Sequence, residues 1–235
     1  MGLPKNIRPE YSTTIPSTGK KVKYQPFSIK EEKVLIVAAE GEDPDEIANA
    51  VSNVLKACIT SPADIDVDSL ALFDIEYLFL KARSKSAGEK VTVNITDPDD
   101  PDYTVSHDID IDRIGVKRTE GHTDLIEMED GVSIKLRYPG IDFFGEGLQL
   151  GDITNSLKTI AKCVSQIVVG EEVYNSADMT EEEIAEWMEG LTTGQMSKIM
   201  EFFNTMPKLS HTINLDNKKK GTKFSVTLEG LADFF

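Results

Sequence analysis

Leu72-Phe73-Asp74-Ile75-Glu76-Tyr77-Leu78-Phe79-Leu80-Lys81-Ala82-Arg83-Ser84-Lys85 is followed, after Gly88, by Val91-Thr92-Val93-Asn94-Ile95-Thr96. The apolar period changes between these two stretches, and that change decides the fold class. In the first, Leu70, Phe73, Tyr77 and Leu80 repeat at helical spacing, while Leu72, Ile75 and Phe79 make a second apolar face. The spacing predicts a helix from about Asp68 to Lys85, stopped near Gly88. A helix that is apolar on two faces belongs in the core. In the second stretch the period is two, with Val91, Val93 and Ile95 alternating with Thr92 and Asn94. Asp97 to Asp102 holds two prolines among aspartates and reads as a turn. Tyr103, Val105, His107, Ile109 and Ile111 then return on alternate positions. A buried helix feeding an antiparallel hairpin predicts an α+β fold.

The same order recurs at residues 195–228 as a weak internal echo, with an acidic turn in the first copy and a basic one in the second. Other helices announce themselves by their ends. Ser28 with Glu31 predicts a capped helix from Ile29 to about Glu40. Asp43, Pro44 and Glu46 open another, carried on by Ile47, Val51, Val54, Leu55 and Cys58 until Pro62. Ile153, Leu157, Ile160, Ala161, Val164, Ile167 and Val168 form one stripe, predicting a helix from Asp152 to about Val169. Thr180 with Glu183 caps the next, and a further helix runs from about Gly194 to Thr205. Hairpins are expected at Thr123–Met128 with Val132–Tyr138, and at Ser210–Leu215 with Lys223–Leu228.

Three segments follow. Residues 1–19, with Pro4, Pro9 and Pro16, read as an extended arm. Residues 20–150 read as a helical segment followed by antiparallel strands, with a connection rich in glycine at 139–151. Residues 151–235 read as a helical segment followed by a C-terminal hairpin. The pattern is that of helical bundle segments with antiparallel β-hairpins. It leaves open one shared core or two helix-plus-hairpin lobes.

The chain has 235 residues, with 25 basic and 41 acidic side chains and a net charge of −16. Nucleic acid and anionic membrane are therefore not expected as partners of the acidic body. No apolar run reaches the ~18 residues of a membrane span, and Met1 to Tyr11 has no apolar h-region of a signal peptide. Cys58 and Cys163 are expected to be buried reduced thiols. The charge is segregated. Residues 1–30 hold six bases and one acid, and residues 89–131 hold 13 acids and four bases. Residues 171–190 hold eight acids and no base, and residues 208–223 hold five lysines and one aspartate. Such blocks are either solvated faces or docking surfaces for oppositely charged partners.

Catalytic and metal constellations are missing from the pattern. Asp108, Asp110 and Asp112 start like a calcium loop, but Arg113 stands where glycine is required and Thr119 where the distal glutamate belongs. His107, His122 and His211 lack thiolate partners nearby in sequence. Gly19-Lys20-Lys21 lacks the rest of a phosphate loop, and Gly145-Glu146-Gly147 lacks the third glycine of a dinucleotide loop. The expectation is a chain with no enzyme activity, no metal and no cofactor. Surfaces for partners are better supported. Met179, Met188, Met196, Met200 and Met206 crowd into 28 residues, as core filling or as an adaptable groove. Phe202 sits off the inward face set by Phe203, so one ring of the pair is expected outside. Leu231, Phe234 and Phe235 are either docked on the core or held by another subunit. Lys20, Lys21 and Lys23 in the basic N-terminal segment complete the candidate partner-binding set with Met196, Met200, Phe202, Phe203, Leu231, Phe234 and Phe235.

Four segments also carry a family resemblance: Ser17 to Lys33, Leu72 to Ser86, Phe202 to His211, and Leu228 to Phe235. In this order they resemble the T4-type bacteriophage baseplate-hub protein family, over most of the chain from about Ser17. The resemblance implies a non-enzymatic part in assembling the central hub of a contractile tail baseplate. The implied partners are other hub proteins and the tape-measure protein. The implied place is the host cytoplasm during assembly and the tail baseplate of the virion. An alternative is a soluble assembly chaperone for tape measure or hub, absent from the mature particle. The resemblance offers no catalytic residues, and with no cysteine in the turns Asp97–Asp102 and Asn217–Thr222 it offers no metal knuckle.

Overall fold

A computed structural model describes residues 6–144 and 153–234 of the chain. It is α+β, with antiparallel sheets throughout. Strand β1 (Tyr11–Thr14) pairs with β2 (Lys21–Tyr24), Tyr11 opposite Tyr24, and β3 (Ile59–Ser61) joins the other side of β2. The alternation of Val22 and Tyr24 against lysines supplies the inward face. This corrects the expected arm over residues 8–19. Pro16 to Gly19 is a tight turn: Gly19, at φ +70°, donates to Ile15 O at 2.9 Å. Ile15 is buried, the Arg8 side chain donates to Pro26 O at 2.9 Å, and Ser17 N–H donates to Asp74 Oδ1 at 2.8 Å. Pro16, which read as part of a spacer, instead stands in the turn of a hairpin.

Helices α1 (Ile29–Glu40) and α2 (Pro44–Cys58) start where the caps predict. Ser28 and Glu31 form both bonds of a capping box, and Asp43 accepts from the N–H groups of Asp45 and Glu46. Helix α3 (Leu72–Ala87) buries Phe73, Ile75, Leu78, Phe79, Leu80 and Ala82. It is the core helix its two apolar faces require. Each large side chain removed from water there contributes roughly 1.5–3 kcal/mol. A hairpin of β4 (Lys90–Asp97) and β5 (Asp100–Asp110) follows, then a 3₁₀ turn and β6 (Gly115–Lys117). The aspartates of the failed calcium pattern have separate structural tasks. Asp108 accepts from Thr92, Asp110 caps the 3₁₀ turn, and Asp112 pairs with Lys85 at 3.0 Å.

Next come β7 (Leu125–Glu127), β8 (Val132–Leu136), α4 (Ile153–Cys163), β9 (Val164–Val169) and β10 (Glu172–Asn175). These strands form one sheet in the order β10-β9-β8-β7. The helix expected to reach Val169 therefore ends at Cys163. Val164, Ile167 and Val168 fit helical spacing, but they are β-branched and enter the sheet: Val164 pairs with Leu136 of β8, and Ile167 pairs on both sides, with Ile134 of β8 and Tyr174 of β10. Helices α5 (Glu181–Glu189) and α6 (Thr193–Thr205) each begin with a capping box, Thr180 with Glu183 and Thr192 with Gln195. The chain closes with β11 (Lys208–Asn217), β12 (Thr222–Glu229) and a 3₁₀ turn at Leu231–Phe234.

Two compact units result: residues 1–117 with 208–235, and residues 118–207. This division differs from the expected boundaries at 19/20 and 150/151. The reason is a long-range pairing, Leu209 of β11 opposite Val116 of β6, which returns the C-terminal hairpin to the first unit. Most of the connection expected at 139–151 lies outside the described residues.

Candidate interaction surface

Helix α1 is built as a helix but buries almost nothing. Its sequence, Ile29-Lys30-Glu31-Glu32-Lys33-Val34-Leu35-Ile36-Val37-Ala38-Ala39-Glu40, spreads apolar groups around the whole circumference. One side can face α2, and there only Ala38 is buried. Ile29 is 72% exposed, Val34 45%, Ile36 51% and Val37 66%. Ile29 and Ile36, seven residues apart, fall within about 20° of one another around the helix. Apolar residues exposed together in this way mark a contact face more often than isolated ones do.

The turn after α1 is tight. Gly41 ends the helix, Glu42 takes φ +54°, and Asp43 caps α2. A groove of about 490 Å³ opens along the helix pair, lined by Val34, Val37, Ala38 and Ala50, with Glu46 and Asn53 as polar edges. This surface is absent from the candidates read off the sequence. The run Val34 to Ala39 was the available sign, because a short capped helix cannot bury apolar groups on every side.

The candidate residues divide between the two units. Lys20, Lys21 and Lys23 are exposed along the β1–β2 hairpin, and Lys23 is held by Glu10 at 2.9 Å. That contact lowers the Glu10 carboxyl pKa and raises that of Lys23. Leu231 and Phe234 are buried in the first unit, so the C-terminal apolar residues dock on their own chain. Phe235 lies outside the described residues. Leu231 N–H donates to Glu76 Oε1 of α3 at 3.1 Å, and burial pushes the Glu76 carboxyl up to about 7.

In the second unit, Met196 and Met200 are partly exposed on α6, while Met188 is buried. Phe202 and Phe203 are both buried, which corrects the expectation that one ring lies outside. The two rings meet edge to face with centroids 5.0 Å apart. Phe202 also stacks on Tyr138 at 5.6 Å and contacts the His122 ring at 5.1 Å. A second apolar face on α6 was available for Phe202 because β7 and β8 bring Tyr138 and His122 against it. His122 Nδ1 lies 3.0 Å from Thr205 Oγ1 and Nε2 lies 3.1 Å from Tyr138 Oη. Burial depresses its pKa, so the neutral ring is favoured.

The oppositely charged turns of the two long hairpins meet within the first unit. Asn217 Nδ2 donates to Asp97 Oδ2 at 2.7 Å and to Asp100 Oδ2 at 3.1 Å. Lys220 Nζ donates to Asp99 O at 3.1 Å and lies 3.4 Å from Asp100 Oδ1. Tyr103 Oη donates to Asp216 O at 3.2 Å and accepts from Lys218 N–H at 3.3 Å. Part of the charge segregation is thus satisfied internally. The Asn217 bond and the nearby lysines hold the Asp100 carboxyl below its usual range.

Among the described residues, no group of three or more histidine, cysteine, aspartate or glutamate side chains is placed to hold a metal ion. No helix among them is long and apolar enough to cross a membrane. No curated protein and no solved structure matches the chain. The model of one family, described as T4 bacteriophage base plate protein, matches residues 8–235. That match spans both units and every element described above, so the chain belongs to the T4 bacteriophage base plate protein family.

Proposed function

We propose that this chain is a non-enzymatic component in assembly of the central hub of the baseplate, working through contacts with other hub proteins and the tape-measure protein. Membership of a baseplate family supports a role among phage structural proteins. The observation that carries the reading further is the exposed apolar face of α1, where Ile29, Ile36 and Val37 are each more than half exposed. Leaving such groups in water is costly, at roughly 25 cal/mol per Å² of apolar surface, and a partner surface recovers that energy. The rim of this face is acidic. Residues 29–46 hold seven acids against Lys30 and Lys33, which disfavours pairing of two identical faces and favours a different protein.

Quantitative mass spectrometry of purified virions beside infected-cell lysate tests this reading. A fixed number of copies per tail is expected. Presence in lysate alone, bound to tape measure, would overturn the structural role and leave the assembly chaperone.

A further inference from the structure

The second unit carries an open sheet edge with a pocket beside it. Strand β10 lies at the end of its sheet, and Glu172, Val173, Tyr174 and Asn175 are all exposed. The turn to β9 has two residues, Gly170 and Glu171, with Gly170 at φ +63°. A two-residue hairpin makes the flanking pair, Val169 and Glu172, a hydrogen-bonded one. By alternation, Val173 opposite Val168 is a non-bonded pair and turns its N–H and C=O to the open side. The edge strand also presents apolar surface, because Val173 is 52% exposed and Tyr174 43%.

A pocket of about 530 Å³ lies against this edge. Tyr174, Trp187 and Met179 supply soft and aromatic walls, and Asp178 and Glu183 supply negative charge. Trp187 and Met179 are partly exposed there, with Ile184 buried at the base. Aromatic faces beside carboxylates suit an ammonium or guanidinium group. The surrounding stretch, residues 171–190, carries eight acids and no base.

We propose that this edge and pocket receive an extended, basic peptide segment of another protein. The segment adds a strand to β10 through the outward groups of Val173. One of its lysine or arginine side chains enters the pocket between Tyr174 and Trp187, facing Asp178 and Glu183. On the face away from the pocket, apolar side chains of the segment cover Val173, which stands opposite Val168. The acidic field gives such a segment its preference over neutral or acidic strands. A second copy of this chain is the weaker occupant, because pairing two β10 edges brings the acidic stretches together.

Trp187 is the single tryptophan of the chain, so its fluorescence reports on the pocket directly. The probe is a synthetic octapeptide, Lys-Val-Lys-Val-Arg-Val-Lys-Val, titrated into the full chain beside a counterpart with glutamate at every basic position. The basic peptide is expected to shift Trp187 emission saturably, with affinity falling as salt is raised. Val173→Pro removes an N–H that the hairpin does not use, so the fold is expected to stand while affinity drops about tenfold or more. Asp178→Asn combined with Glu183→Gln keeps an acceptor for the helix cap and is expected to weaken binding by about tenfold and flatten the salt dependence.

Unchanged Trp187 emission with the basic peptide would overturn the proposal. So would equal affinity of the glutamate counterpart, or binding to Val173→Pro as tight as to wild type. Sedimentation of the free chain gives a further arm. A dimer that Val173→Pro dissolves would assign the edge to a second copy and overturn the basic-segment proposal.

Discussion

Asn217 donates its side-chain amide to the Asp97 carboxylate across 2.7 Å, joining two hairpin tips 120 residues apart in the chain. Asn217 and Asp97 are buried. The side-chain Oδ1 of Asn217 accepts from Lys219 N–H and Lys220 N–H, each at 3.0 Å, which shapes the turn it stands beside. One residue therefore sets a local turn and a long-range contact together. Asn217→Ala is expected to lower stability by about 1–3 kcal/mol, because the buried Asp97 acceptor loses its donor. Thermal and urea unfolding measure this. A loss below ~0.5 kcal/mol would show the hairpin tips to be independent.

The N-terminal hairpin makes a different prediction from a loose arm. Ile15 is 1% exposed, and Thr13 Oγ1 lies 2.8 Å from Tyr77 Oη of the core helix α3. Ile15→Ala is expected to cost about 2–5 kcal/mol, in the range for deleting a buried aliphatic side chain. Removal of residues 1–16 is expected to do more, since β1 goes with them. Unchanged melting temperatures would return this segment to the status of an arm.

How far the fold was legible depended on where the determining contacts lie. Caps act within four residues, and Ser28, Asp43 and Thr180 opened helices as their side chains predict. Period-two stretches with a turn between them gave the hairpins at 90–110 and 208–229. Val164 to Val169 failed because Val164, Ile167 and Val168 continue the helical spacing of α4, and only the neighbours β8 and β10 draw them into a strand. The pairing of Ser210 with Gly115 crosses the whole second unit and leaves no local trace, so the domain boundaries moved. The candidate surface suffered the opposite problem. Large aromatic residues such as Phe203 and Phe234 attract attention, yet they are core, while the plain aliphatics of α1 are outside.

Glu76 gives stability a pH dependence. Its carboxyl is raised from 4.5 to about 7 by burial, against the Leu231 N–H that favours the charged form. A raised folded-state pKa means that the contribution is fully present below pH ~4.5 and is lost as pH rises to about 7. The shift corresponds to roughly 3 kcal/mol. Gly230 takes φ +70°, which strains any other residue, and a Cβ there would sit 2.9 Å from Glu76 Oε1 and press on that carboxyl. Glu76→Gln keeps the acceptor for Leu231 and is expected to flatten stability between pH 5 and 7.5 and to raise it at pH 8. A wild-type profile unchanged by the substitution would contradict this assignment.

The two thiols are expected to be inert in the folded chain. Cys58 and Cys163 are buried, and burial pushes each up to about 12. Labelling with iodoacetamide at pH 8 is expected to be slow in the native state and rapid in denaturant. Fast native labelling of either residue would show that its surroundings open.

The central claim is that the exposed face of α1 joins this chain to other baseplate proteins. Ile36→Asp with Val37→Asp places charge on two side chains that are 51% and 66% exposed, so the melting temperature is expected to stay close to wild type. Complementation of a phage lacking this chain, followed by counting copies in purified tails, is the direct measurement. The account predicts that the double variant folds but is lost from tails at least tenfold. A variant that folds and enters tails at the wild-type level would contradict it.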